Sequence, residues 1–138
     1  MDVENIYKSF NENKSIEELK YNMLQYKTRL KEEIIEYKFY KNLLEASIFK
    51  VNTRNLFENL EMFKKDITST ENEALALLKE IEIHSNSITN KLECEDLFCD
   101  NFFIKTHDDL EKKTYQFFIQ CTNFKIKIFE YLESTLKQ

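Results

Sequence analysis

Neither glycine nor proline occurs anywhere in this chain of 138 residues. Average usage would supply about ten glycines and seven prolines at this length. Glycine provides the positive φ of tight turns, while proline presets turns and stops helices. A fold rich in hairpins, or one built on a phosphate-cradling loop, could hardly form without both. A few long helices joined by short links need neither. Codon usage contributes to the bias, since 12 Phe, 7 Tyr and only 2 Arg beside 18 Lys point to an AT-rich genome. Such a genome thins glycine and proline but does not by itself remove them, so the helical inference stands.

The rest of the composition sets the class. With 42% hydrophobic and 33% charged residues, residues 1–138 are expected to form one domain with its own core. No run approaches 18 apolar residues, so no membrane span is expected. The acidic opening Met1-Asp2-Val3-Glu4-Asn5 is unlike a signal peptide. Three cysteines, Cys94, Cys99 and Cys121, do not form a disulfide framework. These features together predict an intracellular protein, cytoplasmic or nuclear, in which the Asn13-Lys14-Ser15 triplet goes unglycosylated.

Periodicity predicts an all-α fold, an antiparallel bundle of three long helices over about 15–51, 54–92 and 106–136. The first opens at Ser15, with Glu18 at capping-box spacing. Its apolar seam runs Ile16, Leu19, Met23, Tyr26, Leu30, Ile34, Tyr37, Leu44, Ile48 and Val51, in steps of three and four except across Lys41. Asn52 and Thr53 supply the turn that follows, asparagine tolerating left-handed backbone. The second seam is Leu56, Leu60, Phe63, Ile67, Thr70, Ala74, Leu77, Ile81, His84, Ile88 and Leu92. Thr68-Ser69-Thr70 could interrupt that helix, yet the seam keeps its register across them. The third opens at Thr106 and follows Leu110, Thr114, Phe117, Cys121, Phe124, Ile128, Tyr131 and Thr135, widened by Phe118, Phe129, Leu132 and Leu136. A short additional helix over about Val3–Phe10 is expected before the first.

Chemistry-bearing patterns are sparse. Cys94, Cys99, His107 and Cys121 are the best metal candidates, but their spacing fits no zinc site and Cys121 falls on the core stripe. His84 lies on the second seam near Glu80 and Glu82; the Glu80-to-His84 interval is one residue longer than a di-iron helix uses, which predicts a core histidine. Nucleophile elbows and phosphate loops need glycine turns that the chain lacks. The expectation is therefore no enzyme, no cofactor and no metal.

Charge and the second link point toward proteins. The net charge is −5, residues 1–69 are balanced, and the acidic excess lies entirely in residues 70–138. That balance disfavours nucleic acid and favours a basic protein partner. The link Glu93–Lys105 carries Leu97, Phe98, Phe102, Phe103 and Ile104, which must be buried against something. They are expected either to plug the bundle's end or to dock a protein partner, self-association included. The leading expectation is a non-enzymatic interaction module, a subunit or adaptor of a larger assembly. In helix number and length the chain also resembles the regulatory three-helix bundles at the N-termini of membrane-fusion syntaxins, which implies a role in membrane traffic. A third expectation is a ligand carrier or enzyme with a cavity lined by Tyr37, Phe117 and Phe124.

Overall fold

The computed structural model describes residues 2–4, 6–92 and 97–137, with side chains described for 2–4, 6–87 and 103–137. It contains three helices, α1 (Ile16–Leu44), α2 (Leu56–Leu92) and α3 (Leu97–Thr135), packed as an all-α three-helix bundle. Ser15 caps α1 from extended backbone, its side chain accepting the Glu18 N–H at 3.2 Å. α2 runs unbroken through Thr68-Ser69-Thr70. The Thr68 and Thr70 hydroxyls donate back to the carbonyls of Lys64 and Asp66, so they satisfy themselves within the helix. Among the described residues no helix is long and apolar enough to cross a membrane.

Cross-helix pairs fix an up-down-up order. Lys27 meets Glu82 and Lys41 meets Thr68, so α1 and α2 are antiparallel. Lys113 meets Glu80, and Phe124 packs on Phe63, so α3 is antiparallel to α2. The backbones approach most closely between α1 and α2 and least between α1 and α3. Large side chains explain the difference. Between α1 and α3 stand Arg29 over the Phe118 ring at 3.9 Å, Lys125 between Glu33 (2.9 Å) and Glu36 (2.6 Å), and Tyr37 against Phe124 at 5.2 Å.

Three boundaries differ from the sequence reading. The first helix, expected to reach Val51, ends at Leu44. The Leu44–Ile48–Val51 spacing is helical, but Phe49, which lies off that seam, is the residue buried, and Val51 is 93% exposed. Residues 48–50 instead pair with the end of α3. The Lys50 N–H donates to Thr135 O and the Lys137 N–H to Ile48 O, both at 2.8 Å, around an antiparallel bridge between Phe49 and Leu136. Asn52 and Thr53 do form a turn, the Thr53 N–H and hydroxyl both donating to Lys50 O, but the left-handed backbone falls at Asn55, φ 55°, just before α2.

The third helix, expected from Thr106, already begins at Leu97, so most of the expected link is helical. With no glycine or proline to stop it, the helix continues backward for as long as an apolar line, here Phe103–His107–Leu110, can be buried. Finally, the short helix expected over Val3–Phe10 does not form. The described residues of that stretch are non-helical, and they lie along α3 as a strap.

Candidate functional site

The most connected polar cluster sits where the N-terminal half of α1, the C-terminal half of α2 and the start of α3 meet. Glu111 is its centre. The Tyr26 hydroxyl donates to Glu111 Oε2 at 2.8 Å, and the Tyr7 hydroxyl donates to Oε1 at 2.8 Å. The Asn11 amide donates to the same Oε1 at 3.2 Å. His107, one turn earlier on α3 and fully buried, brings Nε2 to 3.6 Å from Oε2, an electrostatic contact longer than a good hydrogen bond. His107 Nδ1 lies 3.1 Å from His84 Nε2 across the α2–α3 interface. One carboxylate thus joins three helices and the strap.

With both rings neutral, an N–H on His107 Nε2 turned to the Glu111 carboxylate leaves His107 Nδ1 to accept from His84 Nε2. The donors then all point inward to Glu111, and His84 Nδ1, buried and without a hydrogen-bond partner, is left as a bare acceptor. Burial, with the neighbouring His107, lowers His84 to about 4, far below an ordinary histidine. Burial alone would raise Glu111, but its contacts with His107, Tyr26 and Tyr7 prevail and hold it down at about 2. Both tyrosines are pushed well above their ordinary range, by burial first and then by the Glu111 carboxylate. Phe103 stacks on His84, ring centroids 4.8 Å apart at 22°.

The residues singled out in the sequence divide. Phe103 is buried and Ile104 half-buried, and both pack with Leu19 and Ile16 at the end of the bundle. The side chains of Leu97, Phe98 and Phe102 lie outside the described residues, as do Cys94 and the Cys99 side chain. His107 and Cys121 are fourteen residues apart on one helix, about 21 Å, so they cannot share an ion. Cys121 is buried beside Tyr37, and burial raises its thiol to about 12, which leaves it unreactive. Tyr37 and Phe124 meet ring to ring inside the core, with Phe117 buried against Phe118. His84 takes the core position its seam predicted. Glu111 was legible only as an acidic residue near an expected helix start, and its role depends on partners 85 and 104 positions away.

Two further features lie on the described surface. A groove of about 910 Å³ runs between α2 and α3, lined by Met62, Asp66, Gln116, Gln120, Asn123 and Tyr131 among others, with Val3 at its edge. On α1, Tyr21, Leu24, Ile35 and Phe39 are each more than half exposed. With about 100° of turn per residue, these four share one arc, opposite the buried line Leu19–Met23–Leu30–Tyr37–Leu44. Compared with protein-family models, with curated proteins and with solved structures, the chain gives no match in any of the three.

Proposed function

We propose that this protein is a non-enzymatic helical interaction module that docks another protein along the outer face of α1. The observation that carries this reading is the second apolar face of that helix. A helix that serves only its own core turns charged and polar residues to water. α1 instead exposes Tyr21, Leu24, Ile35 and Phe39 in a line about 27 Å long. That length matches the span of a docked helix of about five turns. The polar cluster supports the same reading, because the Glu111 oxygens are occupied by donors and His84 is a weak base, an arrangement that ties helices together. Leu97, Phe98 and Phe102 are a second proposed contact, in the acidic half of the chain (residues 70–138), which suits a basic partner.

A photo-crosslinking amino acid placed at Leu24 or Ile35 in the native cell tests the proposal. It should capture a discrete protein adduct, while the same group at the exposed loop residue Asn52 captures none. Leu24→Asp with Ile35→Asp should abolish capture from a third probe at Phe39 and leave thermal stability within about 0.5 kcal/mol, as expected for surface positions. Equal labelling at positions 24, 35 and 52 would remove the case for this face.

A further inference from the structure

We infer that the outer face of α3 is a binding site for an extended peptide, and that residues 2–11 are its tethered occupant. The argument starts from the polarity of the strap. Its Tyr7, Ser9 and Asn11 side chains, at alternate positions, hydrogen-bond to Asp108 and Glu111 of α3. Ile6 and Phe10 face solvent at 67% and 68% exposure. A segment that served only to complete the core would be turned the other way. This one is held by recognition chemistry, from donors on the segment to fixed acceptors on the helix.

The receptor groups lie in order along α3. Asp108 accepts from the Ser9 hydroxyl at 2.7 Å and from the Asn11 amide at 2.6 Å. Glu111, already oriented by Tyr26 and facing His107, accepts from Tyr7 and Asn11. Tyr115 lies against the Tyr7 ring at 6.0 Å. Asn123 pairs with the backbone of Val3, its Oδ1 accepting the N–H at 2.7 Å and its Nδ2 facing the carbonyl at 3.5 Å. That two-point amide contact reads an extended main chain without regard to the side chain it carries. Asp108 to Asn123 on the helix covers about 22 Å, a span that the eight residue steps from Val3 to Asn11 can bridge at up to about 3.3 Å each, with the peptide antiparallel to α3.

The ligand class follows from these groups: an extended segment with a tyrosine hydroxyl, a small hydroxyl two residues later and a carboxamide two beyond that. Beyond Val3 the same line leads along α3 past Asn123 toward Lys127, Glu130 and Tyr131, which line the α2–α3 groove. The strap therefore occupies the near part of a longer site, and as a tethered ligand it excludes a free peptide of the same kind. A short flexible tether gives an effective concentration on the order of millimolar, so micromolar peptide competes poorly with it.

Fluorescence anisotropy of a labelled synthetic peptide of residues 2–11 tests this with the full chain. A chain carrying Tyr7→Ala and Asn11→Ala should bind the peptide at least about tenfold more tightly than the unaltered chain. Adding Glu111→Gln to that background should reverse the gain, and a scrambled peptide should bind neither chain. If circular dichroism shows the double variant unfolded, Val3→Pro with Ser9→Ala loosens the strap more gently, because proline has no N–H for Asn123. The same rank order is then required. A folded, strap-weakened chain that binds no peptide, or that binds it no better than the unaltered chain, overturns the inference and leaves the strap a fixed structural element.

Discussion

The two ends of the bundle are held by different physics. At one end Tyr37, Tyr40, Phe63 and Phe124 pack ring on ring, with centroid separations between 5.2 and 6.3 Å. At the other, Tyr26, His84, His107 and Glu111 form a directed polar chain with far less apolar filling. Aromatic packing rewards volume and tolerates several orientations. A buried carboxylate with several donors tolerates one arrangement, because each donor left unmatched costs a desolvation penalty. The aromatic end therefore supplies stability, and the polar end supplies register, fixing which turn of α3 faces which turn of α1 and where the strap attaches.

The largest effect that could break this division belongs to the aromatic end. Phe124 touches Tyr37, Tyr40 and Phe63, and Phe124→Ala should lower unfolding free energy by about 3–5 kcal/mol in urea denaturation. A loss below about 1 kcal/mol would mean that this end is not the main store of stability. The next effect belongs to the polar end and is read by pH. His84 titrates near 4 when folded and near 6.5 when unfolded, so its contribution is complete above pH 6.5 and lost as pH falls toward 4. Glu111 titrates near 2 when folded and near 4.5 when unfolded, so its contribution is complete above pH 4.5 and lost toward 2. The two windows adjoin, and each is on the order of 3 kcal/mol. His84→Gln, which keeps a donor for His107 but does not titrate, should flatten the upper window only, whereas Phe124→Ala should leave the shape of the pH profile unchanged. The smallest effect sharpens the comparison by touching neither cluster: Ser15→Ala removes the α1 cap and should cost about 1 kcal/mol at every pH.

How much of this was legible in the sequence varies from helix to helix. In α2 every described seam position from Phe63 to His84 is buried as its spacing predicts, because that helix contacts both others along a single apolar line. In α1 the spacing missed Glu33 and Tyr40, both buried. Glu33 is covered because Lys125 reaches it from α3, 92 residues away, and no local pattern announces such a partner. The same helix carries two apolar faces, so periodicity alone cannot say which residues are internal. The strap was read as a helix because Val3, Ile6, Tyr7 and Phe10 have helical spacing. Its extended form is imposed by Asp108, Glu111 and Asn123, whose positions depend on the bundle already being assembled. The polar cluster was hidden for a related reason. Glu111 lies on the face of α3 shared by His107 and Phe118, and the groups that cover it, Tyr7, Asn11 and Tyr26, come from distant parts of the chain.

The bridge between Phe49 and Leu136 has a consequence for the order in which the chain can assemble during synthesis. Residues 48–50 emerge from the ribosome early, yet the groups that complete their hydrogen bonding belong to Thr135 and Lys137. α1 and α2 are neighbours in sequence and approach each other most closely, so their hairpin can form while α3 is still being translated. Throughout that interval the α1–α2 turn holds Phe49 and two backbone groups without their final cover. Closure of the clasp is thus a late event, after residue 137 has cleared the exit tunnel. Until then the nascent hairpin presents an uncovered aromatic flank, the stage at which a chaperone has something to hold.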